Sequence, residues 1–208
     1  MFMRKTIIIS ALLMTLVFPA MSQSRFGFQG YQGGMMLHTG WVANSSVNFT
    51  SFDNVTGTPV IAEGMPFGIG GAIKIKLLPH LRVGSEGYVS TLTYEPNHSQ
   101  LRVGWGGLLV DGVWYSEKWS FFVGATVGGG SVQNTTLLDP QDVNYETELH
   151  ASYRRYSFMC VTPFAGCEYA LTERIHLVGK IDYVTDLTSG ELDNPQGPRV
   201  YVGFLFGH

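Results

Sequence analysis

The chain has 208 residues, of which 14% are charged, 13% are aromatic and 26 are glycine. Soluble domains average about 25% charged residues, so this composition favours a protein whose outer surface meets lipid. The formal net charge is −3, and loss of Arg4 and Lys5 with a leader would take it to −5. The basic excess that nucleic-acid binding uses is absent, which argues against nucleic acid as a partner.

The N-terminal segment 1–22 is predicted to be a cleaved secretory signal. It has a basic start, an apolar run over 7–18 and small residues just before Gln23. This run is shorter than the ~20 apolar residues that a spanning helix needs, and no later run is both apolar and uncharged over such a length. We therefore expect an exported mature domain, 23–208, without a membrane-spanning helix.

Eight strands are predicted in the mature domain. They cover 34–43, 67–78, 81–94, 101–114, 119–132, 155–170, 174–186 and 198–207. The connections after the second, fourth and sixth strands are tight, whereas 44–65, 95–100, 133–154 and 187–198 are long and polar, as loops are. Outer-membrane barrels combine an even strand number, short periplasmic turns and longer external loops. The pattern predicts an all-β, eight-stranded antiparallel up-and-down transmembrane barrel with both termini in the periplasm.

The alternation of side chains along the strands predicts which face points inward. Near the C-terminus, Ile181 and Tyr183 point one way while Lys180 and Asp182 point the other, because strand side chains alternate with period two. A barrel in lipid turns its apolar side chains outward and its polar ones inward. The predicted inward charges are Lys74, Lys76, Arg82, Glu86, Asp111, Glu168, Lys180 and Asp182.

These charges predict a salt-bridged interior. Eight strands enclose a space that side chains just fill, and buried charges persist only when they are paired. We therefore expect a plugged barrel that does not conduct as an open pore. A proton or ion path along the same side chains is the alternative function for this set.

Aromatic residues and the last strand fit the same architecture. Trp114, Tyr115 and Trp119 lie at one predicted turn, as in the aromatic girdles of membrane barrels. In the last strand four apolar residues alternate with other side chains: Val200, Val202, Phe204 and Phe206. This strand resembles the terminal strand that outer-membrane barrels present to the barrel assembly machinery, which is therefore an expected partner.

Over nearly all of its mature length, the chain resembles small eight-stranded outer-membrane barrels of the OmpA/OmpX type, especially glycine-rich outer-membrane barrels of Bacteroidetes. The resemblance implies a monomer in the outer membrane of a diderm bacterium, in contact with outer-membrane lipid and lipopolysaccharide. Its motifs are architectural, so a structural or surface-interaction role is expected, with an extracellular partner on the long loops.

Two alternatives belong to other functional classes. His150 and Ser152, with Glu168 downstream, resemble the His, Ser and Glu of lipid A deacylases, although Tyr153 stands where that family has Asn. We expect no catalytic role. The other alternative is a soluble lipocalin-like carrier, in which the apolar face would point inward around a ligand.

No cofactor or metal site is predicted. His38, His80 and His176 are scattered without the spacing of metal ligands. Cys160 and Cys167 lie on one predicted strand, roughly 23 Å apart at ~3.3 Å per residue, whereas a disulfide needs Cα atoms within about 7 Å. We expect both cysteines to be free packing residues.

Overall fold

The computed structural model describes residues 29–47, 60–94, 99–137, 151–188 and 196–207. The strands in these ranges are β1 (Tyr31–Gly40), β2 (Val42–Val47), β3 (Val60–Gly64), β4 (Phe67–Leu78), β5 (Leu81–Tyr94), β6 (Ser99–Ser116), β7 (Trp119–Leu137), β8 (Ala151–Ala170), β9 (Ile175–Asp186) and β10 (Gly197–Gly207). The described ranges contain no helix that is both long and apolar enough to cross a membrane. The predicted signal, 1–22, lies outside them.

Eight strands form one closed antiparallel barrel, which confirms the predicted fold class. Their order around the barrel is β1-β10-β9-β8-β7-β6-β5-β4. Closure occurs at β1, which pairs with β10 on one side and with β4 on the other. Short turns join β4 to β5, β6 to β7 and β8 to β9 at one end, here called the short-turn end.

The strands extend further into the predicted loops than the sequence indicated. β2 and β3 form a separate two-stranded sheet within the predicted loop 44–65, and β7 and β8 stay paired as far as Leu137 and Ala151. Polar residues such as Asn134 and Thr135 continue this ladder. The polar residues therefore mark where the hairpin leaves the band of apolar outward side chains, and not where hydrogen bonding between the strands ends.

The outer face of the barrel is apolar. Leu108, Ile73 and Ile181 are 74%, 59% and 58% exposed. At the short-turn end the outer face carries aromatic side chains, with the Trp119 ring centroid 6.2 Å from that of Phe121 and 4.9 Å from that of Tyr169. This distribution is the inverse of that in a soluble lipocalin-like carrier, whose surface would be polar.

Inward-facing glycines make room for aromatic rings on the neighbouring strand. A Cβ added to Gly70 would overlap the ring of Tyr88, which lies directly opposite in the β4–β5 ladder. Three further pairs repeat this arrangement: Gly68 with His38, Gly130 with Phe158, and Gly166 with Phe122. These four glycines thus serve to fit large rings inside a narrow barrel, a use of glycine also known from designed sheets.

Candidate functional site

The barrel interior holds equal numbers of buried cations and anions. Among the described residues, the buried ionisable acids and bases other than histidine are Lys74, Arg82, Lys180 and Arg199, and Glu86, Asp111, Glu168 and Asp182. All eight are 6% exposed or less. Seven of them belong to the predicted inward set, and Arg199 stands in place of Lys76. Most of them form two clusters, one near the short-turn end and one near the middle of the barrel.

The first cluster, called the basal cluster, consists of Lys74, Arg82, Asp111 and Glu168. The guanidinium of Arg82 donates to both oxygens of Asp111, at 2.7 and 2.9 Å, and to Oε1 of Glu168 at 2.8 Å. Lys74 Nζ lies 2.9 Å from Asp111 Oδ2 and 3.7 Å from Glu168 Oε1. Two cations and two anions from β4, β5, β6 and β8 therefore neutralise one another through direct contacts.

Other side chains complete the surroundings of the basal cluster. Arg82 also donates to the side-chain oxygen of Gln32 on β1, at 3.1 Å. Lys74 Nζ lies 4.1 Å from the ring centroid of Phe122, a distance at which an ammonium is attracted to an aromatic face. Arg82 thus donates hydrogen bonds to side chains on three other strands, β1, β6 and β8, and so links strands across the barrel interior.

The second cluster, called the central cluster, consists of Glu86, Lys180 and Asp182. Lys180 donates to Glu86 Oε2 at 2.9 Å and lies 3.4 Å from Asp182 Oδ2. Glu86 also accepts hydrogen bonds from Thr126 at 2.6 Å and Tyr88 at 3.2 Å. This arrangement satisfies both Glu86 oxygens and bridges β5 to β7 and β9. Charge-assisted bonds of this kind are stronger than bonds between neutral groups.

Aromatic rings surround the central cluster. Lys180 Nζ is 4.4 Å from the ring centroid of Tyr201, 4.8 Å from that of Tyr88 and 5.0 Å from that of Phe164. The His38 ring stacks on Tyr201 with centroids 4.8 Å apart. These rings therefore lie beside the ion pairs in the barrel interior.

Arg199 is the buried charge that sequence reasoning missed. It lies directly opposite Asp182 in the β9–β10 ladder, with its guanidinium carbon 5.8 Å from the ring centroid of Trp105. A signal for it was present in the sequence, because Arg199 alternates with the outward Val200 and shares the inward face of Tyr201. The four outward apolar residues dominate the pattern of this strand, and Arg199 is the inward charge just before them.

Lys76 lies outside both clusters. It is half-buried at the short-turn end, with its Nζ 4.3 Å from the ring centroid of Tyr115. No carboxylate in the described part of the chain lies within ion-pair distance of it. Its parity predicted an inward direction, but its position near the end of β4 places it at the mouth of the barrel.

Toward the opposite end of the barrel, here called the long-loop end, the interior combines apolar side chains with neutral polar ones such as Ser99 and Asn134, which the sequence did not predict. The buried residues there include Leu92, Leu101, Val103, Val132 and Val184. They share the inward face with charged residues of the same strands, as Leu92 does with Glu86 on β5. Among the described residues, the buried charges are thus confined to the basal and middle levels of the barrel.

Of the candidate catalytic residues, Ser152 and Glu168 lie far apart along β8. His150 lies outside the described residues, and the structure describes the backbone of Ser152 but not its side chain. Ser152 and Glu168 lie near opposite ends of β8, and Glu168 is engaged by Arg82. Glu168 is therefore too far away to orient a base beside Ser152.

The described residues contain no cluster of three or more His, Cys, Asp and Glu suited to a metal ion. His80 is occupied locally, with Nδ1 2.9 Å from the carbonyl oxygen of Val113. Cys160 and Cys167 both lie on β8 and are free.

Solved structures similar to this chain are bacterial outer-membrane barrels. Neisserial surface protein A aligns with a TM-score of 0.55 at 11% identity, covering 86% of this chain and 98% of its own. The outer membrane protein OprG from Pseudomonas aeruginosa aligns with a TM-score of 0.58 at 9% identity, covering 86% and 95%. Ail from Yersinia pestis, in complex with the heparin analogue sucrose octasulfate, aligns with a TM-score of 0.50 at 10% identity, covering 86% and 99%.

No protein-family model and no curated protein matches the chain. At identities this low, structural likeness establishes the fold and leaves the activity open. The closed barrel, its strand number and its antiparallel order agree with the resemblance drawn from the sequence. The chain has the fold of the small eight-stranded outer-membrane β-barrels.

Proposed function

We propose that this protein is an outer-membrane β-barrel with a structural or surface-interaction role and a plugged, salt-bridged interior. The observation that carries the proposal is the balanced set of buried charges. Among the described residues, four cations and four anions are buried inside, while Ile73 and Ile181 lie exposed outside. A barrel built to hold its shape in a bilayer needs this combination, because lipid solvates the outer face and only partners within the protein can neutralise the inner charges.

The same contacts support a closed lumen. Arg82 and Lys180 reach across the interior to carboxylates on other strands, and aromatic rings fill the space beside them. An ion crossing the barrel would have to break these pairs and pass the buried side chains at the long-loop end. We therefore infer that the protein does not act as a general diffusion pore.

Single-channel recording in a planar bilayer tests the closed interior. The purified wild-type protein should give no large, stable conductance steps, and a general porin inserted under the same conditions serves as the positive control. Folding of the wild-type protein is verified beforehand by its heat-dependent gel mobility. Large, stable steps from the wild-type protein would contradict the plugged interior and favour transport.

The proposed location is the bacterial outer membrane, with the short turns and both termini in the periplasm. The mature protein should fractionate with outer membranes, require detergent for extraction and contact lipid and lipopolysaccharide. Its last strand exposes four apolar side chains, Val200, Val202, Phe204 and Phe206, and we propose that this face is read by the barrel assembly machinery. Recovery as a soluble periplasmic monomer without detergent would contradict the location.

We propose no enzymatic activity. The support is the distance of Glu168 from Ser152 along β8 and its engagement by Arg82 and Lys74. Mass spectrometry of lipid A from cells that express the protein should show unchanged acylation, with Ser152→Ala as the matched variant. Loss of an acyl chain that depends on Ser152 would instead assign a hydrolase.

A further inference from the structure

A groove interrupts the outer face of the barrel near the short-turn end. Its volume is about 590 Å³, and its lining includes Tyr31, Gly33, Ile73, Arg174, Ile175 and Phe206. Apart from Arg174, the side chains in this set are apolar or aromatic. The groove lies across β4, β1, β10 and β9, where the first and last strands of the barrel meet.

The groove exists because Gly33 has no side chain. Gly33 is paired with Ile73 on β4 and with Phe206 on β10, so it lies between two large outward residues. Its outward neighbours along β1, Tyr31 and Met35, are also large. One missing side chain among four large ones leaves this groove in the outer face of the barrel.

The side chain of Arg174 lies at one end of this groove. Arg174 belongs to the short turn before β9, and this turn is ordered by hydrogen bonds. The hydroxyl of Thr172 accepts from the backbone N–H groups of Arg174 and Ile175 at 3.2 and 3.0 Å, and the carbonyl of Arg174 accepts from the N–H of Gly207 at 2.8 Å. The side chain of Arg174 is exposed, and it forms no salt bridge with a carboxylate in the described ranges.

We propose that this groove binds one phospholipid of the leaflet at the short-turn end, with an acyl chain over Gly33 and the phosphate on Arg174. The proposal rests on the membrane location proposed above. A guanidinium matches the oxygens of a phosphate with parallel hydrogen bonds. Arg174 lies in the turn beyond Tyr31, at the level where headgroups meet aromatic girdles, and the groove runs from it toward the apolar belt.

The charge of Arg174 and the shape of the groove together favour a lipid as the occupant. The floor of the groove is apolar and continuous with the lipid-facing surface, so an acyl chain enters it without leaving hydrocarbon. The cation at its end then meets the one group that every phospholipid carries at that depth. Other outward glycines, such as Gly179, lie between apolar side chains, so the cation of Arg174 is what distinguishes this groove.

Two substitutions remove the two halves of the site without disturbing the barrel. Gly33→Phe fills the groove, and a Cβ at this position makes only ordinary contacts, with Ile73 Cγ1 at 3.5 Å and the Ala72 carbonyl oxygen at 3.6 Å. Arg174→Gln removes the cation from an exposed turn. The matched control is Gly179→Phe, since Gly179 also lies on the outer face and a Cβ there would meet nothing within 4 Å.

The experiment is native mass spectrometry of the full mature protein released from nanodiscs of phosphatidylglycerol and phosphatidylethanolamine. Folding of each variant is checked first by heat-dependent gel mobility, so failure to fold into a bilayer would count against the membrane barrel itself and not against this site. The wild type and Gly179→Phe should each keep one phospholipid as the detergent concentration is raised. Gly33→Phe and Arg174→Gln should bind it with about tenfold weaker affinity and therefore lose it at a lower detergent concentration.

Equal lipid retention by Gly33→Phe and the wild type would overturn the proposal. Loss of lipid from all variants alike, including Gly179→Phe, would show unspecific annular lipid and would also overturn it. A dimer that Gly33→Phe abolishes would assign the groove to a second copy of this chain instead.

Discussion

Arg82 and Asp111 lie directly opposite each other in the β5–β6 ladder, and the guanidinium of Arg82 contacts both carboxylate oxygens of Asp111. Because both residues are almost fully buried, neither has water as an alternative partner. Asp111→Ala would leave Arg82 and Lys74 with Glu168 as their nearest anion. The free energy of unfolding should fall by ~3–5 kcal/mol, the usual loss when one partner of a buried pair is removed.

Urea unfolding of the protein in lipid vesicles, followed by tryptophan fluorescence, measures this loss. Lys76→Ala is the control, since Lys76 is a half-buried cation that contacts an aromatic ring and no described carboxylate. A loss for Asp111→Ala no larger than that for Lys76→Ala would show that the basal cluster contributes little to stability.

The central cluster makes a separate prediction about pairing. Lys180→Ala leaves Glu86 and Asp182 buried without their shared cation, so it should also destabilise the barrel by ~3–5 kcal/mol. Reversal of the pair, by Lys180→Glu with Glu86→Lys, should restore part of that loss. A double-mutant cycle on unfolding free energies reports the coupling, and additive losses would contradict a direct interaction.

The glycine–aromatic pairs predict which glycines tolerate a methyl group. Gly70→Ala places a Cβ against the ring of Tyr88 and the carbonyl of Gly87, so we expect a loss of ~1–3 kcal/mol from overpacking. Gly179→Ala is the matched control, because its Cβ would meet open space. Equal unfolding midpoints for the two variants would contradict the role assigned to Gly70.

The outer face predicts a depth-dependent penalty for charge. Ile181 is 58% exposed on β9, so Ile181→Arg should reduce stability by ~2–4 kcal/mol if this position lies near the bilayer midplane. Ile181→Leu, which keeps an apolar side chain, should change stability little. Full tolerance of arginine at Ile181 would mean that this face does not meet hydrocarbon.

Orientation can be tested by labelling single cysteines in cells, in a background without Cys160 and Cys167. An impermeant maleimide should label Tyr153→Cys, on the extension of β8 at the long-loop end, where Tyr153 is 63% exposed. It should label Lys118→Cys, in the turn between β6 and β7, only after the outer membrane is made permeable. Labelling of Lys118→Cys alone on intact cells would reverse the topology.

Most of the fold was predictable because a barrel in lipid is governed by a simple alternation. β4 and β5 begin and end where the sequence predicted, since tight turns and a period of two fix both register and face. The β2–β3 hairpin was not predictable in this way, because outside the apolar belt polarity no longer separates strand from loop. β7 and β8 were predicted too short for the same reason.

The interior was predictable by face but not by partner. Parity places Arg82 and Glu86 on the inner face, whereas the choice of Asp111 and Lys180 as their partners depends on the tilt and stagger of the barrel. The same limit concealed the role of Arg199, whose neighbours come from β6 and β9. The groove at Gly33 depends on four strands at the closure of the barrel, so no single segment of the sequence carries a signal for it.

The sequence separations of the interior ion pairs bear on when the sheet can enter hydrocarbon. Arg82 and Glu168 are 86 positions apart, and Glu86 and Lys180 are 94 positions apart. A half-assembled sheet that contains β4 and β5 but lacks β8 and β9 would bring Arg82 and Glu86 into the bilayer without Glu168 and Lys180. Early insertion is therefore penalised, and these two ion pairs form only as the late strands arrive. The chemistry of the lumen thus sets an order of events in biogenesis, in which circular closure precedes or accompanies passage into the membrane.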